Sequence, residues 1–185
     1  IMVGEIRDSE TAELAIHSAL TGHLVLSTLH TNNAVGVIPR LVDMGIQKFL
    51  ISSTLNLALS QRLIRKLCPH CKKEKEANAE ETAIIDEAIN NLPKEIINNL
   101  KITKPYHIFE PQGCPECNNQ GYKGRLGIYE VLKMTPAIEE TILTNLSEAN
   151  LQQEAKRQGM TTMRQDAVLK MLQGVTSMNE VLRET

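Results

Sequence analysis

Four cysteines carry the most specific chemistry in this sequence, arranged as Cys68-Pro69-His70-Cys71 and Cys114-Pro115-Glu116-Cys117. Each C-x-x-C pair lets two thiolates reach one ion from a single tight turn, with backbone N–H groups left to donate to sulfur. Two such turns make a closed tetrahedral S4 shell, with metal–sulfur bonds of about 2.3 Å and no open position for a substrate. The spacing predicts one structural Zn²⁺ held by Cys68, Cys71, Cys114 and Cys117. Iron also accepts four thiolates. Two disulfides, or free buried thiols, are the competing readings, disfavoured because all four cysteines fall in paired turns of a chain that reads as intracellular. His70 is a further donor by type, expected in solvent because four thiolates already close the shell. Four thiolates on one Zn²⁺ carry net −2, which Arg62, Arg65, Lys66, Lys72, Lys73, Lys123 and Arg125 are placed to offset. An ion tying together the ends of segment 72–113 would contribute folding energy directly.

A second set of candidate residues is carboxylate and imidazole. Met2-Val3-Gly4-Glu5-Ile6-Arg7-Asp8 puts an acidic residue at the end of an apolar strand, where open α/β sheets present ligand-binding groups. A carboxylate there can orient an attacking water, or hold Mg²⁺ through water, beside a nucleotide phosphate. His23 and His30 bracket the next apolar run, with His30 at its end. Glu5 and His30 at neighbouring strand ends say more than either alone, since a single histidine is most often solvated or satisfied in a core.

The elements that must position these groups follow from pattern. Ile1–Gly4 reads as a buried strand, Asp8 or Ser9 caps a helix through Leu20, and Leu24–Leu29 reads as a second strand. A second helix runs from the His30–Asn33 turn to about Met44, stopped by Gly45. This strand–helix–strand–helix rhythm indicates an α/β unit with parallel strands. Ile46–Leu59 is expected to be helical and then extended, and Leu63–Leu67 alternates into Cys68. Asn78–Leu100 reads as two short helices broken near Pro93. Gly121–Gly124 reads as a turn and Leu126–Leu132 as a strand. Helices follow after Thr135, from Ser147 to Gly159 and from Thr161 or Thr162 to Gly174, and Ser177-Met178-Asn179-Glu180 has capping-box spacing. The expected partition is 1–67 for the α/β core, 68–117 for the metal module, 118–132 for a returning core strand and 133–185 for a helical subdomain.

The 185 residues are 42% hydrophobic and 23% charged, an ordinary globular composition. A net charge of −2 gives no basic field for nucleic acid, and with aromatics at 3% and no Trp there is little to stack on bases. A zinc-ribbon nucleic-acid binder is therefore disfavoured, and a closed S4 shell argues against a zinc hydrolase. No run approaches the roughly 18 apolar residues of a membrane span. The opening lacks a basic region followed by an apolar one, so a signal peptide is not expected. An apolar run at residue 1 with no preceding turn reads as a core strand cut at its start, so the chain is expected to be part of a longer protein.

Residues 1–13, Leu20-Thr21-Gly22-His23-Leu24-Val25-Leu26-Ser27-Thr28-Leu29-His30-Thr31-Asn32, Arg40–Gly45, Gln61-Arg62-Leu63, the four cysteines, Gly121–Glu130 and Arg164-Gln165-Asp166 together resemble the secretion motor ATPases of type II secretion and type IV pilus assembly. The resemblance spans nearly the whole chain. It implies the C-terminal half of such a motor: a RecA-like P-loop ATPase core in α/β form, an inserted tetracysteine zinc module and a C-terminal helical bundle. It implies Glu5 as the Walker B catalytic glutamate, with His30 and His23 as His-box residues that sense the terminal phosphate. Arg7 and Asp8 fall at motif positions that would contact the cofactor. ATP and Mg²⁺ would be cofactors of the parent, a homo-hexamer acting with inner-membrane platform and recruiting proteins at the cytoplasmic face of the membrane. The cysteines favour the assembly and secretion branch over the pilus-retraction motors. The sequence contains no G-x-x-x-x-G-K-[ST] run, so these residues alone are expected to be inactive. The alternative expectation is a non-catalytic, zinc-stabilised module that docks on the membrane platform.

Overall fold

Side-chain caps set most of the helix starts in the computed structural model, which describes residues 1–90, 92, 96–97 and 102–185. Asp8, Thr135, Ser147, Thr162 and Ser177 each accept a hydrogen bond from the backbone N–H three residues on. Each such cap contributes about 1 kcal/mol. Pro136 occupies the first turn after Thr135, where its missing N–H is no loss. Of the second helix expected among residues 78–100, only residues 96–97, which are helical, are among the described residues.

The chain forms two compact units, each built from two separate stretches. The first comprises residues 1–60 and 131–160. In it β1 (Met2–Ile6) pairs in parallel with β2 (Leu26–Leu29), and α1 (Ser9–Leu20) makes the connection. The parallel α/β unit expected from the sequence is thus present. Helix α2 (Val37–Asp43) begins later than the His30–Asn33 turn implied, because Asn33 Oδ1 accepts from Gly36 N–H at 2.7 Å and holds the intervening residues in a turn. α3 (Lys48–Thr54), α5 (Pro136–Thr144) and α6 (Glu148–Arg157) complete this unit. Its core is aliphatic, with Ile38, Ile51, Ile138, Ile142 and Leu151 fully buried, each contributing about 1.5–3 kcal/mol.

The second unit comprises residues 61–130 and 161–185. β4 (Lys72–Glu76) and β5 (His107–Pro111) are antiparallel, with Lys72 opposite Pro111 and Glu76 opposite His107. Around them lie α4 (Ala79–Asn90), α7 (Met163–Leu172) and α8 (Met178–Glu184). Ile64, Ile85, Ile108, Ile128, Met171 and Val181 form its buried core. The paired strands β3 (Leu57–Leu67) and β6 (Tyr122–Lys133) each begin in one unit and end in the other along the chain.

Several expectations change. The helices of 133–185 are shared between the two units, since α5 and α6 bury their apolar faces in the first core while α7 and α8 bury theirs in the second. The metal-module segment 68–117 packs within the second unit. The Gly121–Gly124 turn is already strand from Tyr122 onward. On that strand the Tyr129 N–H donates to Asp166 (2.8 Å) and the Gly127 carbonyl accepts from Lys170 Nζ (2.9 Å), so α7 side chains satisfy these strand groups. The capping box at Ser177 is only half formed, because the Glu180 side chain turns away to Arg65.

Candidate metal centre and strand-end carboxylate site

β3 runs directly into the first cysteine turn. There the Cys71 and Lys72 N–H groups fold back on the Cys68 carbonyl (3.3 and 3.1 Å), and the Cys68 N–H donates to the Gly121 carbonyl (2.9 Å). The second turn, Pro115–Cys117, is a single 3-10 turn followed by Asn118 and Asn119 in left-handed conformation. Gly121 is obligatory at its exit: φ is +75°, and an added Cβ would fall 2.3 Å from Pro111 Cβ. Cys117 Sγ accepts from the N–H groups of Cys114 (3.2 Å) and Gly121 (3.1 Å).

Four sulfurs therefore converge. Cys68 and Cys114 are 3.9 Å apart, Cys71 and Cys117 3.8 Å, Cys114 and Cys117 3.7 Å, and all four lie within 4.8 Å of one another. A regular tetrahedron with bonds of about 2.3 Å has edges of about 3.8 Å. These separations match that edge and are far beyond a disulfide's ~2.05 Å. The donor set fits a tetrahedral, thiolate-binding metal ion. The thiols are not equivalent. Burial pushes Cys71 up to about 12 and also raises Cys114. Burial acts the same way on Cys117, but the N–H groups of Cys114 and Gly121 outweigh it and bring that thiol down to about 6.

The cations expected to offset the thiolates are largely engaged elsewhere. Arg65 pairs with Glu180, Arg62 donates to the Glu184 carbonyl and Lys123 faces Glu116. Lys72 Nζ donates to the Gly174 carbonyl (2.7 Å) and lies over the Phe109 ring. Backbone N–H groups, rather than side-chain cations, are the charge-compensating donors seen at sulfur.

The second site lies at the carboxyl ends of β1 and β2. The strand register slips between Val3 and Ile6, so β1 carries one residue more than β2 across Gly4 and Glu5. Such a bulge re-aims a side chain. Thr28 Oγ1 fixes it by donating to the Gly4 carbonyl at 2.8 Å. Glu5 is turned between two cations-by-type: Oε1 lies against His30 Nε2, and Oε2 contacts Arg7 Nη2 at 2.5 Å. The Glu5 side chain is 21% exposed, against 84% for His30. The His30 contact is close but lacks hydrogen-bond orientation, and Glu5 Oε1 has no hydrogen-bond donor among the described residues. Arg7 lies two residues beyond Glu5, just past the end of β1.

The other candidates are placed differently. Asp8 caps α1, accepting from the Thr11 N–H at 2.8 Å, and that hydrogen bond holds its carboxyl below the usual value. His23 precedes β2, beyond the Met2–Leu26 pair and so at the opposite strand end from Glu5. Its ring nitrogen meets Thr21 Oγ1 (3.1 Å) and the Ser18 carbonyl (3.2 Å). The structure brings together Glu5, Arg7 and His30, and leaves His23 apart. Two features escaped the sequence: the bulge that aims Glu5, and Glu180, a fully buried carboxylate bonded to Arg65. The Ser177–Glu180 spacing was the only sequence signal for the latter, and it pointed to a cap.

The parallel α/β pair with its strand-end carboxylate and the downstream four-cysteine cluster belong to a chain of the secretion-system proteins. The chain belongs to the family described as "Type II/IV secretion system protein", which matches residues 1–183. It is 47% identical over all 185 residues to the type IV pilus assembly ATPase PilB of Myxococcus xanthus, covering 31% of that protein. It is 45% identical, again over its whole length, to the type II secretion system ATPase E of Vibrio cholerae, covering 34% of it. The chain thus spans about a third of the length of these curated relatives. Among solved structures, the pilus retraction motor PilT with bound ADP aligns over 100% of this chain and 39% of its own, at TM-score 0.62 and 27% identity. The ATPase DotB of Legionella pneumophila shares the fold at TM-score 0.60 and 22% identity, over 99% of this chain and 37% of its own. Among the described residues no helix is long and apolar enough to cross a membrane.

Proposed function

We propose that this chain is the Walker B, metal-module and C-terminal helical portion of a RecA-like motor ATPase serving type IV pilus assembly or type II secretion. The observation that carries the proposal is the identity of 45–47%, over all 185 residues of this chain, to ATPases of those two machines. In this reading Glu5 orients the water that attacks the terminal phosphate of ATP. Arg7, on one oxygen, holds the carboxylate in place, and His30 lies against the other. His30 also senses the phosphate, while His23 supports the base of β2 and Asp8 the start of α1. ATP and Mg²⁺ require a phosphate-binding loop that these residues do not contain, so the 185-residue chain alone does not turn ATP over. The whole motor works as a homo-hexamer at the inner face of the bacterial inner membrane, moving a platform protein so that pilins or pseudopilins are assembled.

The four cysteines, in the same reading, hold one Zn²⁺ as a structural ion. Zinc would supply fixed tetrahedral cross-linking and no reactive position. Two measurements test the proposal. Glu5→Gln in the full-length protein is expected to lower ATP hydrolysis by about 10²-fold or more with nucleotide binding retained, as for loss of a water-activating carboxylate. Turnover unaffected by Glu5→Gln, or hydrolysis by the isolated chain, would sink it. Elemental analysis is expected to find one zinc per chain, lost in Cys114→Ser; a folded wild-type chain without metal removes the zinc assignment.

A further inference from the structure

Glu180 is a buried charge that neither site uses. Its carboxylate is fully buried and accepts three hydrogen bonds from one residue: the Arg65 backbone N–H (2.9 Å) on Oε2, and Arg65 Nε (2.9 Å) and Nη2 (2.6 Å) on Oε1. Arg183 adds a further contact at 3.0 Å. A carboxylate taken out of water costs several kcal/mol unless its partners stay in place, so this pair is stable only with Arg65 fixed.

Arg65 lies three residues before Cys68, on the strand that enters the first cysteine turn. The segment leading to Glu180 is bonded to the chain on both sides of that turn. Leu67 N–H donates to the Val175 carbonyl (2.8 Å), Thr176 Oγ1 donates to the Arg65 carbonyl (2.9 Å) and Lys72 Nζ donates to the Gly174 carbonyl. The Arg65 guanidinium also stacks 4.3 Å from the centre of the Tyr122 ring, and the Tyr122 hydroxyl meets Ser177 Oγ at 2.7 Å. Tyr122 follows Gly121, whose carbonyl takes the Cys68 N–H and whose N–H donates to Cys117 sulfur. One carboxylate thus stands where the chain entering Cys68 and the chain leaving Cys117 are both held.

We propose that Glu180 is a positioning residue of the four-cysteine site: through Arg65 it keeps the two cysteine turns in register, so that metal retention and docking of residues 174–184 are linked. The inference rests on the metal assignment made above. Linkage is reciprocal, so each event must stabilise the other by the same factor.

The test uses the full chain loaded with one Zn²⁺ and follows release to an excess of a chromophoric chelator. Glu180→Gln is expected to speed release about tenfold, the lower end for loss of an outer-shell partner. Thr176→Val, which removes one bond to the Arg65 carbonyl and keeps the shape, is expected to act in the same direction. It decides the question alone if the Gln variant does not fold. Ile85→Val, which loosens the core of the same unit from α4, should leave the rate within about twofold when compared at equal unfolding free energy. Removing Zn²⁺ from the wild type should raise amide exchange over 174–185 while α4 stays protected. An unchanged release rate in Glu180→Gln and Thr176→Val, or equal acceleration by Ile85→Val, overturns the linkage. A wild-type chain that takes up no metal refutes the metal assignment itself, a separate outcome.

Discussion

Substituting Gly121 by Ala tests how tightly the second cysteine turn is built. At φ +75° an L-residue pays about 1–2 kcal/mol of backbone strain. The new methyl would also sit 2.3 Å from Pro111 Cβ and 3.0 Å from Pro111 Cα, so β5 or the turn must move. Movement weakens the Cys68 N–H bond to the Gly121 carbonyl and the Gly121 N–H bond to Cys117 sulfur, each worth about 1 kcal/mol. The expected total is about 3–4 kcal/mol. Gly124 supplies the control, because its φ is +83° but a Cβ there meets nothing within 4 Å, so Gly124→Ala should cost only the strain, about 1–2 kcal/mol. Urea unfolding of both zinc-loaded variants, followed by tryptic protection of residues 61–130, measures the difference. Equal losses in the two would show that the contact with Pro111 is relieved freely, and the picture of a close-fitting turn would be wrong.

Three further outcomes are expected. The Glu180 carboxyl is raised by burial, but the Arg65 hydrogen bonds outweigh this and leave it below its ordinary value. Its stabilising contribution should therefore be complete above about pH 4.3 and disappear as pH falls through the depressed folded value, a slope missing from Glu180→Gln in unfolding titrations. Asp166→Ala leaves the Tyr129 N–H and Lys170 without their carboxylate. The cost should be about 1 kcal/mol because the site is partly exposed, read from urea midpoints, with Asp166→Asn losing less. Ile51→Ala opens a cavity in the first unit's core and should cost about 2–5 kcal/mol by calorimetry, with metal content unchanged.

What the sequence disclosed depended on the range of the interaction. Caps are local: Thr135, Ser147 and Ser177 cap where their types and spacing placed them, and of the pairs Asp8 or Ser9 and Thr161 or Thr162 the caps are Asp8 and Thr162. The cysteine pairs were legible for the same reason, since each C-x-x-C is a self-contained turn. β4 was not legible: Lys72-Lys73-Glu74-Lys75-Glu76 has no apolar face, and it is a strand because β5 pairs with it across the cysteine turns and supplies the buried Ile108. Its charges are matched across elements, with Lys75 between Glu81 and Glu110 and Glu74 facing His107. The carboxylate site was half legible. Strand-end placement gave Glu5 and His30, but the bulge exists only in the pairing of β1 with β2, and the parallel direction that unites those residues puts His23 at the other end. Glu180 shows the same limit, because its partner is more than a hundred residues away.

The two-stretch construction of each unit has a consequence for biosynthesis. All four cysteines have been translated by residue 117, yet the chain closing the first core ends at residue 160 and the chain closing the second begins at residue 161. The thiolates are therefore available to an ion before either hydrophobic core holds its full complement of residues. A chain ending at residue 130 holds all four cysteines but the whole of neither unit, whereas one ending at residue 160 holds the whole of the first. A metal ion that reached the thiolates at that stage would cross-link a chain whose hydrophobic cores are still incomplete.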